Sequence, residues 1–185
     1  MTRDHPLSTR RNWLAAGASV AAAGLWPSAP QAQARSGSSV AGDERARPLP
    51  ALGDPFELAD APLLDGSSFR ADEMKDRLVL LYWWASWCPF CAQTSPHIDA
   101  LWRQWRPRGL YVLGISLDRS ADIARRHLQS RGYIFASTLQ SAAPAPLVKP
   151  KGLPVTLGRG RSGRIVFAES GELFAQDLEI LEKHL

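Results

Sequence analysis

The residues of this 185-residue chain best suited to covalent chemistry are its only two cysteines, Cys88 and Cys91, set as Trp87-Cys88-Pro89-Phe90-Cys91. Two thiols at this spacing can close and reopen a disulfide, an exchange that moves two electrons. As a staple the bridge would add little, because closing so short a loop is worth only about 2 kcal/mol, less whatever strain it carries. A chain with 45% hydrophobic residues and seven tryptophans can build a core without it. A pair that contributes so little to stability reads as redox-active. The competing use of this spacing is a zinc site, which needs four ligands. There is no third cysteine, and His5, His97, His127 and His184 are scattered. His97, six residues past Cys91, reads as a helix-surface histidine, so no metal is expected.

The elements that must position these thiols are legible on either side of them. Leu78 to Trp84 is an unbroken apolar run of strand length, as expected for a strand buried on both faces at the centre of a sheet. A helix is predicted to begin at or near Cys88. Pro89 is tolerated in a first turn, and Ile98, Leu101, Trp102 and Trp105 continue with a 3.6-residue spacing. Pro96 should kink it. At the N-terminal end of a helix, unpaired N–H groups and the helix dipole favour an anion, which makes Cys88 the candidate nucleophile. Cys91, one turn deeper, would be shielded and would attack the mixed disulfide formed by Cys88 to release product. Pro89 and Phe90 fill the gap between the thiols without bringing charge. A histidine there would push the pair towards a stronger oxidant, so its absence favours a reductant.

The remaining domain alternates strands and helices. Phe56 to Ala59 and Ser68 to Phe69 are expected as short strands around the Leu64-Asp65-Gly66 turn. Leu110 to Leu117 reads as a second buried strand. A second helix runs through Ile123, Ala124, His127 and Leu128, capped by Ser120 and stopped by Gly132. Tyr133 to Phe135 is expected to be extended, and Val155 to Leu157 with Ile165 to Ala168 to form a hairpin through Ser162-Gly163. Phe174 to His184 completes the domain as an amphipathic helix. Arg159, Arg161 and Arg164 read as a solvated hairpin edge.

Residues 1–34 have the layout of an export signal. Arg10 and Arg11 supply the positive region, Trp13 to Trp26 a weakly apolar stretch, and Ala32-Gln33-Ala34 a cleavage site. The apolar stretch is shorter than a membrane-spanning helix needs, so cleavage after Ala34 is expected in preference to an uncleaved anchor. Thr9-Arg10-Arg11-Asn12-Trp13-Leu14 is similar to the twin-arginine export pattern. Residues 35–50, rich in Ser, Gly, Ala, Pro and charge, read as a flexible linker to a single domain over 51–185. The formal charge of +4 falls to +2 when the three arginines and one aspartate of residues 1–34 are removed, which argues against a nucleic-acid partner. The expected destination is the periplasm, an oxidising space. There an isolated cysteine pair rests as a disulfide unless a dedicated donor reduces it.

Leu78 to Cys91, with Pro96 five residues after the second cysteine, resembles the thioredoxin superfamily. Leu64-Asp65-Gly66, Gly114-Ile115-Ser116-Leu117-Asp118 and Gly152-Leu153-Pro154-Val155-Thr156 are similar to its exported TlpA/ResA-like branch of disulfide reductases. The resemblance implies an α/β thioredoxin-like fold, a central mixed sheet flanked by helices, with a short N-terminal β-hairpin extension. It implies that Pro154 is a cis-proline facing the cysteines, that the backbone of Leu153 pairs with an extended stretch of substrate protein, and that Trp87 shields the disulfide. Thioredoxins carry a buried carboxylate on the central strand, six residues before the first cysteine. Here that position is Tyr82, and nothing in the sequence singles out Glu169 or Glu172 as a replacement base.

The expectation is therefore an exported, monomeric thiol:disulfide oxidoreductase that reduces protein disulfides, with the Cys88–Cys91 disulfide as its only redox group and no cofactor. Its partners would be a protein disulfide and a membrane-linked thiol electron donor. An oxidase of folding proteins is the alternative direction. A copper-handling or redox-silent binding module and a peroxidase are the alternative classes; copper handling on this fold goes with a longer cysteine spacing and a distal histidine.

Overall fold

The computed structural model describes residues 49–143 and 148–185. The export signal at 1–34 and nearly all of the linker at 35–50 lie outside the described residues. The chain forms β1 (Ala61–Pro62), β2 (Ser68–Phe69), β3 (Leu78–Trp84), α1 (Pro89–Trp105), β4 (Leu110–Ser116), α2 (Ala121–Arg131), β5 (Ala136–Leu139), β6 (Val155–Arg159), β7 (Ile165–Ser170) and α3 (Ala175–Leu178). Strands β3 to β7 make one mixed sheet in the order β5-β4-β3-β6-β7, with β3 parallel to β4 and antiparallel to β6. This is the thioredoxin-like α/β architecture that the resemblance implies, and β1 and β2 form the small separate hairpin.

All seven residues of β3 are buried, and the strand lies at the middle of the sheet. Its side chains alternate between two layers of core. Leu78, Leu80, Tyr82 and Trp84 face Ile98, Leu101 and Trp105 of α1, with Leu128 of α2 and Leu178 of α3 in the same layer. Val79, Leu81 and Trp83 face Phe56, Phe69 and Met74, so the second face is covered by the N-terminal segment. Two buried faces require the continuous apolar run that marks this strand in the sequence.

Four expectations are corrected. The first arm of the hairpin is Ala61–Pro62, because the Phe56 N–H donates to the Gly163 carbonyl at 3.0 Å and Pro55 bridges to Arg164. The segment expected as a strand is thus held by the β6-β7 turn. Tyr133 to Phe135 is irregular, since the Tyr133 N–H donates to the Leu128 carbonyl and the Ile134 N–H to Asp99 Oδ1. The ladder therefore opens only at Ala136. The closing element is one turn of α-helix followed by a 3₁₀ segment, Glu179–His184, in which Leu178 and Leu181 are both buried. A spacing of three puts them on one face of a three-residue turn. Nor are the hairpin arginines simply solvated: Arg159 Nε donates to the Phe56 carbonyl and Arg164 to the Gly53 carbonyl, tying the N-terminal segment to the sheet.

Gly114 on β4 meets a close approach that the sequence does not announce. A methyl group there would collide with Ser137 Oγ and lie 2.8 Å from Trp84 Nε1 and 2.9 Å from the Phe135 ring. Gly114→Ala is expected to lower stability by about 1–3 kcal/mol through overpacking, read as a lower urea midpoint at unchanged slope.

Candidate active site

Strand β3 ends at Trp84, and the chain turns through Ala85, Ser86 and Trp87 before α1 begins at Pro89. Cys88 is the N-cap of α1, with extended backbone, and its Sγ accepts the Cys91 N–H at 3.1 Å. Pro89 occupies the first helical position, where its missing N–H leaves no gap in the helix ladder. The short side chain of an N-cap residue can reach back to the orphan N–H groups of the first turn. Here a sulfur fills that role, at the end of the helix where the backbone N–H groups point outward.

The turn is held by Asp118. Its carboxylate accepts from the Ser86 N–H at 3.2 Å, the Ser86 hydroxyl at 2.7 Å and the Ser116 hydroxyl at 2.9 Å. The end of β4 thereby fixes the turn that leads into the cysteines. Asp118 closes the Gly114-Ile115-Ser116-Leu117-Asp118 motif, yet its task could not be read without knowing that β4 lies beside β3.

Both cysteines are free thiols and buried, Cys88 at 5% exposure and Cys91 at 2%. They sit in the apolar layer with Tyr82, Ala85 and Leu173, against which Leu153 packs. Burial pushes the Cys91 thiol well above its ordinary range, and the adjoining Cys88 sulfur adds to the rise. Burial likewise pushes Tyr82 upward, with Cys91 as the second cause. Tyr82, at the position where a carboxylate would stand, donates or accepts with Ser95 Oγ at 2.9 Å and donates to the Cys91 carbonyl at 3.4 Å.

The Leu153-Pro154 peptide bond is cis. Since Trp83 pairs with Val155, Pro154 comes one step beyond, beside the end of β3 from which the cysteine turn departs. A short relay joins it to α1: the Gly171 N–H donates to the Pro154 carbonyl at 2.9 Å, and the Leu173 N–H to Thr94 Oγ1 at 3.1 Å. Thr94 is one turn past Cys91, so the cis-proline and the cysteine helix are tied through residues 171–173. Thr94 and Ser95 were not singled out in the sequence. Their positions three and four residues after Cys91 place them on the same side of the helix, which is the signal that could have found them.

The other predicted residues occupy different surroundings. Trp87 is 66% exposed and Phe90 52%, while the two thiols share their buried layer with Tyr82, Ala85 and Leu173. His97 lies against the half-exposed ring of Phe174, with ring centres 6.2 Å apart. Glu169 and Glu172 line a groove beside β7 with Leu52, Val166, Gln176 and Ile180. Among the described residues neither hydrogen-bonds to the cysteine turn.

Comparison with known proteins gives a consistent picture. Residues 52–147 match the AhpC/TSA family. The thiol-disulfide oxidoreductase ResA of Halalkalibacterium halodurans is 24% identical over 119 residues, 63% of this chain and 66% of that protein. The chain thus spans just under two thirds of that relative's length. The crystal structure of a thiol:disulfide interchange protein of the thioredoxin family from Chlorobium tepidum superposes with a TM-score of 0.61 at 17% identity, covering 73% of this chain and 98% of the other. A DsbF homologue from Corynebacterium diphtheriae gives 0.63 at 22% identity, covering 71% and 87%.

The buried thiol and phenol make stability depend on pH. In the unfolded chain they ionise near their ordinary values of 9.0 and 10.0, whereas the folded chain holds both protons to higher pH. The native state therefore binds more protons above about pH 9, and stability falls as pH rises through that range, by up to about 1.4 kcal/mol per pH unit for each group. Denaturant titrations at pH 7 to 11 should show the fall from near pH 9 in the reduced protein. In the oxidised protein, where only Tyr82 contributes of the two, it should begin about one unit higher.

Proposed function

The chain belongs to the AhpC/TSA family, and from that membership and the geometry of its cysteines we propose that it is an exported thiol:disulfide oxidoreductase that reduces disulfides in other proteins. The observation that carries the reading is the division of labour between two buried sulfurs. Cys88 sits at a helix N-cap and accepts a backbone N–H, while Cys91 is held as a thiol by burial. One is prepared to attack and the other to wait.

In the proposed cycle the Cys88 thiolate attacks one sulfur of a substrate disulfide. The other substrate sulfur leaves with the electron pair and takes up a proton. Cys91 then gives up its proton and attacks Cys88 Sγ, breaking the mixed disulfide and releasing the second substrate sulfur, which is protonated in turn. The substrate gains two electrons, and the enzyme is left with a Cys88–Cys91 disulfide. A membrane-linked dithiol donor would return it to the reduced state, so no metal or organic cofactor enters the cycle.

The surface around Cys88 suits a protein substrate. The exposed rings of Trp87 and Phe90 flank the nucleophile in sequence, and Phe174 reaches the same helix through His97. The cis-Pro154 and the backbone of Leu153 would offer an extended segment a pairing edge beside the thiols. Export to the periplasm is part of the proposal and rests on the layout of residues 1–34. No helix among the described residues is long and apolar enough to cross a membrane. A reductant is favoured over an oxidant because neither Pro89 nor Phe90 adds positive charge between the sulfurs.

Trapping separates the two cysteine roles. Cys91→Ser is expected to accumulate covalent adducts with substrate proteins through Cys88 and Cys88→Ser to give none; equal trapping by both would contradict the assignment. The direction follows from the reduction potential, read by tryptophan fluorescence in dithiothreitol or glutathione buffers. A value near about −270 mV is expected, whereas one near about −120 mV would make the protein an oxidant.

A further inference from the structure

Tyr82 and Ser95 are wholly buried polar side chains that the exchange steps above do not use. Tyr82 projects from the central strand into the helix-side layer, and Ser95 faces it from α1, four residues after Cys91. Their hydroxyls are 2.9 Å apart, and the Tyr82 oxygen is also 3.4 Å from the Cys91 carbonyl. A phenylalanine would fill the same space without a polar atom to satisfy, so the hydroxyl pair calls for an explanation. Two hydroxyls bring two donors, and the bond between them consumes one. Ser95 can supply that bond, which leaves the Tyr82 O–H only its long 3.4 Å contact with the Cys91 carbonyl. The Cys91 side chain lies in the same buried layer as Tyr82, and the titratable groups that face Cys91 are Cys88 and Tyr82.

We propose that the Tyr82 hydroxyl, oriented by Ser95, is the hydrogen-bond donor that stabilises the Cys91 sulfur as it becomes a thiolate and attacks the mixed disulfide. The inference rests on the thiol-exchange reading given above and assigns a task to the strand position six residues before Cys88. The two groups act differently. A carboxylate there could take the Cys91 proton. Tyr82 stays protonated and can give Cys91 a hydrogen bond but not take its proton, so that proton passes to the departing substrate sulfur or to solvent. In this step the bond between Cys91 and Cys88 forms, the bond between Cys88 and the substrate breaks, and the electron pair leaves on the substrate sulfur, which is then protonated. Tyr82 neither gains nor loses a proton over the step. Burial makes its donated bond strong, because no water competes for the developing charge. Ser95 is a positioning residue, holding the phenol hydroxyl in place through its own hydrogen bond.

The test measures the two chemical steps separately in the reduced full-length protein. Reaction with 5,5′-dithiobis(2-nitrobenzoate) places a thionitrobenzoate on Cys88 and releases one chromophore; attack by Cys91 then releases a second. With Tyr82→Phe the first release should keep its rate, and the second should slow about tenfold or more, the scale of a lost hydrogen bond to a charged group. The pH profile of the second release should also move to higher pH. Ser95→Ala, which leaves the strand packing in place, should slow the second release several-fold with the same direction of shift, and decides the matter if Tyr82→Phe fails to fold. A folded Tyr82→Phe with the wild-type rate and pH profile for the second release, or in its absence a Ser95→Ala with both unchanged, would overturn the inference. Wild-type protein that never gives a second release would instead overturn the exchange cycle itself.

Discussion

The hydrogen bond from the Cys91 backbone to the Cys88 sulfur depends on where β3 ends. A strand buried on both faces cannot shift without exposing one apolar set or burying polar atoms, so its last residue, Trp84, is fixed relative to β4 and β6. The turn of Ala85 to Trp87 is anchored to β4 through Asp118, and α1 begins where that turn delivers the chain. Cys88 becomes an N-cap because of these constraints, and its sulfur takes the place that a serine or aspartate oxygen would usually fill.

The same burial that rigidifies β3 separates the chemistry of the two thiols. Cys88 stands at the polar end of the helix, where backbone donors converge. Cys91, one turn on, faces Tyr82 and the apolar layer, where ionisation is resisted. An exchange cycle needs this order: the outer sulfur acts first, and the inner one acts once a mixed disulfide gives it an electrophile. A carboxylate near Cys91 would supply a base inside the protein. A phenol and a serine supply donors, which lower the cost of forming the thiolate without changing where its proton goes.

Placement of the cis-proline belongs to the same mechanical system. Pro154 lies at the entry to β6, beside the end of β3, and residues 171–173 connect it to Thr94 on the cysteine helix. Three segments far apart in sequence, the turn before α1, the loop before β6 and the chain after β7, therefore meet at one end of the sheet. The proposed substrate edge at Leu153 is therefore part of a surface hydrogen-bonded to the helix that carries the cysteines.

Much of this was determined by local sequence. The apolar run of β3, the proline at the first position of α1, the Ser120 and Gly132 boundaries of α2 and the Ser162-Gly163 turn carry their own signals, because burial on two faces, capping and positive backbone angles restrict residue type at single positions. The cysteine pair and its place at the start of a helix were legible for the same reason. Other features depended on pairings that no local pattern encodes. The N-terminal segment gave up its expected strand at Phe56 because the β6-β7 turn claimed its N–H, and Tyr133 to Phe135 gave up theirs to a helix cap and a buried aspartate. The tasks of Asp118, Thr94 and Ser95 arise only when β3 is flanked by β4 and α1 packs against it. The sequence by itself determined which residues could carry thiol chemistry and which elements begin and end beside them. The tertiary structure decided which buried polar groups those residues meet, since hydrogen-bond partners distant along the chain are selected by packing and not by periodicity.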